Sequence, residues 1–179
     1  NEPKVIITFP CIIKHRHSSK GEGIYYIPTV ETFESFMQEH EHESSKYIIE
    51  HYYTYSKEYR VHVSENGVFY ACRKMLLNDV PVEQRFHRHH VNTVWILPDN
   101  PDFQQPNHWE EIKADCVKAI KSIGLSIGCL DVLVTKQDNL IPDWKILESN
   151  SAPALGEGTA EIYKNELINL CAYYEEKNK

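Results

Sequence analysis

Three groups of residues in this sequence have types and spacings that could do chemistry. The first is a glycine- and serine-containing loop, residues 17–23, which follows the apolar run ending at Lys14. Glycines let backbone amides approach an anion closely, and Lys14 before the loop and Lys20 within it add positive charge. The residue order is not that of a P-loop, so the pattern predicts a phosphate-covering hairpin, with a solvated hairpin tip as the alternative. Its candidate residues are Lys14, Ser18, Ser19, Lys20, Gly21 and Gly23.

The second group lies on a β-hairpin that the dipeptide Asn66-Gly67 predicts. A two-residue turn centred on this dipeptide would place Arg60 directly opposite Arg73, with Glu58 on the same face as Arg60. Like charges directly opposite each other destabilise a sheet, so the two arginines indicate an anion between them. The alternative is that Glu58 and nearby acids neutralise the arginines at the surface.

The third group is a pair of carboxylates and an amide on two apolar strands. A turn centred on residues 139 and 140 would place Asp131 opposite Glu148, and Asn150 shares the face of Glu148. Opposed carboxylates repel unless one is protonated or a cation lies between them. Oxygen ligands suit Mg²⁺ or Mn²⁺, so the pattern predicts a metal site. The alternative is a solvated pair or a pair with a lysine, although this register puts Lys145 on the other face.

The elements that must carry these groups are strands with interspersed helices. Consecutive strands joined by hairpins are antiparallel, so we expect an α+β fold with mostly antiparallel strands. The sequence predicts strands at residues 4–9, 11–14, 23–27, 46–52, 57–64, 68–76, 90–97, 127–135 and 143–149. It predicts helices at residues 30–43, 108–124 and 159–177, the first capped by Thr29.

Composition excludes several classes of protein. A chain of 179 residues that is 41% hydrophobic can fold, and its net charge of −7 argues against a general nucleic-acid binder. No segment resembles a signal peptide or a membrane span, and five widely spaced cysteines indicate thiols of a reducing cytosol. We therefore expect a cytoplasmic protein without a membrane partner. The ten histidines leave a histidine-rich zinc protein as a minor alternative.

Three segments taken in order resemble the ATP-grasp family, and within it the carboxylate–amine ligases similar to the ribosomal-protein glutamate ligases. They are FPCIIKHRHSSKGEGIY, YIIEHYYTYSKEYRVHVSENGVFYACRK, and LDVLV followed by WKILESNSAPAL. The resemblance implies two α+β lobes with mostly antiparallel sheets that hold ATP between them. Residues 1–52 would form the small lobe with the hairpin, and residues 53–179 the large lobe with the metal site.

The resemblance also implies a role for each matching residue. Arg60 and Arg73 would contact phosphate or the acyl phosphate, and Lys14 and the loop of residues 17–23 would contact the ATP phosphates. Asp131, Glu148 and Asn150 match the metal-ligand pattern. The remaining nucleotide contacts would be Ile49, Glu50, His51 and Tyr52 at adenine, Leu147 beneath it, and Glu58 at the ribose. The basic residues Arg85, Arg88 and His90 lie where the family handles the acceptor or carboxylate.

The implied activity is formation of an amide bond from a carboxylate and an amine through an acyl phosphate, with ATP and Mg²⁺ or Mn²⁺ as cofactors. The acceptor would be an amino acid, a peptide or a protein end. The family usually carries a preceding domain and another ATP-contacting lysine, so we expect residues upstream of Asn1, with a reduced ATP-grasp core as the alternative. A non-catalytic nucleotide-binding module with this fold is the second hypothesis.

Overall fold

The computed structural model describes residues 6–17, 22–81, 92–135 and 144–178, which contain eight strands and three α-helices. The strands are β1 (Cys11–His15), β2 (Ile24–Ile27), β3 (Tyr47–His51), β4 (Lys57–Ser64), β5 (Gly67–Leu76), β6 (Thr93–Ile96), β7 (Ile127–Val134) and β8 (Trp144–Asn150). The helices are α1 (Val30–Glu39), α2 (Trp109–Ser122) and α3 (Glu157–Lys177), with 3₁₀ helices at Glu41–Lys46 and Pro101–Phe103.

The described residues separate into two compact units. The first contains those of Asn1–Thr54 and Leu76–Val94, and the second those of Tyr55–Met75 and Trp95–Lys179. From the sequence we expected two lobes with a single boundary after residue 52. The return of the chain to the first unit at the end of β5 was not predicted.

A three-stranded antiparallel sheet forms the first unit, in the order β2-β1-β3. Alternate residues of β1 point to opposite faces, so Cys11 and Ile13 are buried together with Phe36 of α1. Thr29 caps α1 as expected, because its side chain accepts a hydrogen bond from the Thr32 amide. The other face of the sheet is left to carry Lys14.

A five-stranded sheet forms most of the second unit, in the order β6-β5-β4-β7-β8. The pairs β4–β5, β4–β7 and β7–β8 are antiparallel. One face of β4, including Tyr59, Val61 and Val63, packs on α2 in a closed apolar core. The apolar residues of α2 recur every three or four positions and meet that face: Trp109, Ile112, Cys116 and Ile120.

The opposite face of β4 carries only polar side chains, and α3 covers one end of it. The Tyr163 hydroxyl lies 2.8 Å from His62 Nδ1, and Ser64 donates to the Glu166 carboxylate. Glu58 and Arg60 lie on the same face toward the start of β4. The fold therefore confines the candidate chemistry of this sheet to one end of one face.

Three expectations about the elements were wrong in detail. Residues 6–8 of the first predicted strand have no regular structure, and α1 ends at Glu39, where a 3₁₀ helix follows. The hairpin turn consists of Glu65 and Asn66, with Gly67 at φ 142° pairing with Ser64. The turn is thus one residue earlier than expected. In this turn the Ser64 hydroxyl accepts a hydrogen bond from the Asn66 backbone amide.

Candidate functional site

Three charged residues lie side by side on three adjacent strands of the five-stranded sheet, on the face opposite α2. Arg60 of β4 is the register partner of Asp131 of β7, and Asp131 is the partner of Glu148 of β8. The predicted pairing of Asp131 with Glu148 is confirmed. Asn150 follows on the same face, and its side-chain amide donates to Glu148 at 3.1 Å. We refer to Arg60, Asp131, Glu148 and Asn150 as the charged row.

Arg60 and Asp131 form a two-point ion pair. Arg60 Nε donates to Asp131 Oδ1 at 2.7 Å and Nη2 donates to Oδ2 at 2.8 Å, with side-chain exposures of 21% and 8%. These hydrogen bonds raise the pKa of the Arg60 guanidinium above its already high ordinary value, despite the opposing effect of burial. The pair therefore fixes a permanent positive charge beside the two carboxylates.

Arg60 changes the argument for a metal. The sequence argument needed a cation between two opposed carboxylates, and the guanidinium already neutralises one of them. The remaining argument is the chemistry of the donors, since Asp131, Glu148 and Asn150 bring two carboxylates and an amide oxygen to one place. A carboxylate that accepts two hydrogen bonds keeps further lone pairs, so this oxygen set fits Mg²⁺ or Mn²⁺. The described ranges contain no group of three or more His, Cys, Asp or Glu side chains that could hold a metal, and the set named here has only two carboxylates.

A bulge in β8 reshapes the edge of the charged row. Glu148 pairs with Asp131, but Ile146 pairs with Val132, so Leu147 is an extra residue without a partner on β7. The shift places Lys145 opposite Leu133, on the face of Asp131, and the expectation that Lys145 lies on the other face is wrong. One inserted residue has thus brought a lysine to the side that carries the carboxylates.

Glu58 and Lys74 form a second, more buried ion pair on the same face. Lys74 Nζ lies 3.3 Å from Glu58 Oε1, and their side chains are 13% and 7% exposed. The indole ring of Trp95, on β6, lies near both cations, with its centroid 5.0 Å from Arg60 Cζ and 5.7 Å from Lys74 Nζ. Neither Lys74 nor Trp95 was identified from the sequence, and the pairing of Lys74 with Glu58 depends on a bulge in β5.

Arg73 lies apart from the charged row. The register between β4 and β5 shifts after His62, so Arg73 pairs with Tyr59 and Arg60 pairs with Cys72. The predicted pairing of Arg60 with Arg73 is therefore wrong, because the turn lies one residue earlier than expected and the extra residue in β5 moves Arg73 to the other face. Arg73 donates instead to the Asp102 carbonyl at 2.6 Å and to the Gln104 side chain at 2.9 Å.

Two cysteines lie beside the ion pair on this face. Cys72 is the register partner of Arg60, and Cys129 precedes Asp131 by two residues on β7. Burial raises the pKa of each thiol to about 12, and the nearby guanidinium offsets only part of that effect. Both are therefore protonated at neutral pH and are poor nucleophiles.

In the first unit, Lys14 and Glu50 are held together. Lys14 Nζ lies 2.5 Å from Glu50 Oε2, on the face of the sheet opposite α1, with exposures of 23% and 34%. The neighbouring residues of β3 and the loop after it also have partners in this unit: His51 Nδ1 lies 3.0 Å from Thr8 Oγ1, and Tyr52 packs edge-on against Tyr26. Ile49 is an exposed residue of β3.

The predicted phosphate hairpin is described only at its base. β1 and β2 pair antiparallel with Lys14 opposite Ile24, and the Gly23 carbonyl accepts a hydrogen bond from the His15 amide. Gly23 has φ 64°, a conformation that other residues rarely adopt. The remaining predicted residues lie outside the described ranges: Ser18, Ser19, Lys20, Gly21, Arg85, Arg88 and His90.

The architecture is the ATP-grasp fold, an α+β arrangement of two units built on antiparallel sheets. The chain is similar to D-alanine–D-alanine ligase from Bacillus anthracis, with a TM-score of 0.61, 13% identity, and coverage of 90% of this chain and 50% of that chain. A structure of the same ligase with ATP gives a TM-score of 0.58, 14% identity and coverage of 84% and 45%.

Two further ATP-grasp relatives by fold are similarly distant. N5-carboxyaminoimidazole synthetase from Staphylococcus aureus, complexed with ADP, gives a TM-score of 0.58 at 17% identity and covers 82% of this chain and 35% of that one. The ATP-grasp ligase PsnB, complexed with a minimal precursor, gives 0.53 at 20% identity, with coverage of 83% and 42%. The chain thus spans between a third and a half of each relative.

Comparison by sequence adds nothing to this assignment. No protein-family model matches the chain, and no curated protein matches it. The likeness is therefore one of fold. In the part of the chain that the structure describes, no helix is both long and apolar enough to cross a bilayer.

Proposed function

We propose that this chain binds ATP and acts in an ATP-dependent ligase that joins a carboxylate to an amine. The observation that carries the proposal is the charged row on an ATP-grasp fold, where a fixed guanidinium adjoins two carboxylates and an amide. Structures with this fold that contain ATP, or Mg and ADP, support the nature of the ligand. The likeness to ribosomal-protein glutamate ligases belongs to the same proposal.

The reaction we propose has two steps. A substrate carboxylate oxygen attacks the γ-phosphorus of ATP, the bond to the bridging oxygen breaks, and ADP leaves with an acyl phosphate formed. The amine then attacks the acyl carbon, inorganic phosphate leaves with the bonding electrons, and the amine loses a proton. No side-chain nucleophile takes part, which agrees with the two protonated cysteines beside the row.

The residues of this chain bind and orient charge in both steps. Asp131, Glu148 and Asn150 would hold Mg²⁺, which when bound neutralises charge on phosphate oxygens. Arg60 would donate to a phosphoryl oxygen, since the transition state of phosphoryl transfer spreads negative charge over these oxygens. In the first unit, the Lys14 ammonium group would leave its ion pair with Glu50 and bind a phosphate oxygen instead.

The contacts of the other residues assigned from the sequence decide which of them stay in the proposal. Glu58 is paired with Lys74 and only 5% exposed, so a ribose contact would require that pair to open. Arg73 is omitted from the phosphate-binding set because it binds the segment of Asp102 and Gln104. Glu50, His51, Tyr52 and Leu147 remain the proposed adenine contacts, and the loop of Ser18 to Gly21 and the basic residues Arg85, Arg88 and His90 remain proposed for phosphate and substrate.

The proposal is tested by a screen of amino acids and peptides for ATP-dependent phosphate release, followed by mass measurement of the products. We expect release only with a matched carboxylate and amine, together with a product lighter than their sum by one water. ATP binding without product for any pair would contradict the ligase and favour a nucleotide-binding module.

Glu148→Gln removes a charge from the proposed metal set with little change of shape. With the matched substrates we expect turnover to fall by at least about a hundredfold, the scale of losing one electrostatic contact to the transition state. The control is Glu161→Gln on α3, where an exposed carboxylate pairs only with Lys164 among its described salt bridges. Full turnover by Glu148→Gln at saturating Mg²⁺ would refute the metal assignment.

A further inference from the structure

Trp95 occupies a position that core packing does not explain. It lies on β6, the edge strand of the five-stranded sheet, and 41% of the residue is exposed. The next residue, Ile96, packs against the apolar core, so alternation along the strand turns Trp95 to the opposite face. That face is the one that carries the charged row.

The indole of Trp95 lies close to two cations of this face, Arg60 and Lys74. Arg60 Cζ lies 5.0 Å and Lys74 Nζ 5.7 Å from the ring centroid, both within the distance at which a cation is attracted to an aromatic face. Each cation also has a carboxylate partner, Asp131 for Arg60 and Glu58 for Lys74. Each positive charge is therefore held by a carboxylate and by the same ring.

This arrangement leaves Arg60 with donors for a further ligand. The guanidinium has five N–H donors, and Asp131 accepts two of them, which leaves three for other acceptors. A free arginine side chain has several rotatable bonds, and holding it in one orientation costs entropy that a ligand would otherwise have to supply. A ring that limits those rotations improves binding of an oxyanion without contacting it.

We propose that Trp95 is a positioning residue that orients Arg60, and with it Lys74, toward the anionic part of the ligand. The nature of that anion, a phosphate of ATP or the acyl phosphate, rests on the proposed function. The orientation of Arg60 by the indole does not rest on the proposed function, because it is a property of the protein without ligand. The two parts are tested by separate measurements.

The orientation is tested by nuclear magnetic resonance of the Arg60 Nε–H group without ligand. We expect a slowly exchanging signal in the wild type, retained in Trp95→Phe and exchanging about tenfold faster in Trp95→Leu, which keeps the apolar bulk but loses the ring. Leu97→Ala, another exposed apolar residue near the strand, should leave the signal unchanged. An unchanged signal in Trp95→Leu would overturn the proposal.

The effect on the ligand is tested by calorimetric titration with Mg²⁺ and ATP. We expect Trp95→Leu to weaken binding about tenfold, Trp95→Phe to restore most of it, and the loss to shrink markedly in an Arg60→Met background. Equal losses in both backgrounds would show that Trp95 does not act through Arg60. If the wild type fails to bind ATP while the Arg60 signal depends on the ring, the proposed function fails and the positioning role stands.

Discussion

At the scale of single residues, two of the cations that the sequence assigns to a ligand are each paired with a carboxylate in the protein. Lys14 is held by Glu50 and Arg60 by Asp131. The sequence identified Lys14 and Arg60 by type, but it could not show that each already has a carboxylate partner. The pairs keep charges that a nucleotide and a metal would use from lying buried and uncompensated.

The Arg60–Asp131 pair should matter to stability as well as to binding. Asp131→Asn leaves a partly buried guanidinium without its counter-charge, so we expect the free energy of unfolding to fall by about 3 kcal/mol, the low end for breaking such a pair. Replacing both residues, in Arg60→Met with Asp131→Leu, should cost less than the single change. Urea unfolding of the three proteins measures this, and a double variant less stable than Asp131→Asn would contradict the account.

At the scale of elements, bulges decide which residues of the site the sequence could predict. The hydrophobic pattern and the turns gave the order and approximate bounds of the strands, and alternation placed Asp131 opposite Glu148 correctly. The same arithmetic fails where a bulge shifts the register between two strands. The extra residue in β5 separates Arg73 from Arg60, and Leu147 in β8 brings Lys145 to the face of Asp131. No residue type at these positions signals the insertion.

The contact between β4 and α3 should make stability depend on pH. Burial, with a smaller contribution from Arg60, lowers the pKa of His62 to about 4 from its ordinary 6.5, and the ring nitrogen pairs with Tyr163. Between these two values the unfolded chain binds the proton that the folded protein excludes. His62 therefore lowers the free energy of unfolding as pH falls from about 6.5 to 4, by up to about 3 kcal/mol.

Unfolding in urea at several pH values checks this expectation. His62→Gln keeps a polar side chain but does not titrate, so its stability should fall less steeply over the same range. His108, an exposed histidine at the start of α2, provides the control substitution His108→Gln. Identical slopes for the wild type and His62→Gln between pH 6.5 and 4 would contradict the assigned burial of a neutral imidazole.

At the scale of the whole molecule, the chain has the ATP-grasp fold that the resemblance of its sequence implied. The resemblance predicted an α+β fold built on antiparallel sheets, and the similarity to solved ATP-grasp ligases confirms it. Identities of 13 to 20% show why matching by sequence is silent, since a fold tolerates replacement of most side chains.

The most direct test of the central claim is the Mg²⁺ dependence of ATP binding, measured by calorimetry on the wild type and Glu148→Gln. If the charged row holds a metal against the phosphates, the wild type should bind ATP at least about tenfold more tightly with Mg²⁺ than with chelator, and Glu148→Gln should lose most of that difference. Absence of ATP binding, or an equal Mg²⁺ effect in both proteins, would contradict the claim.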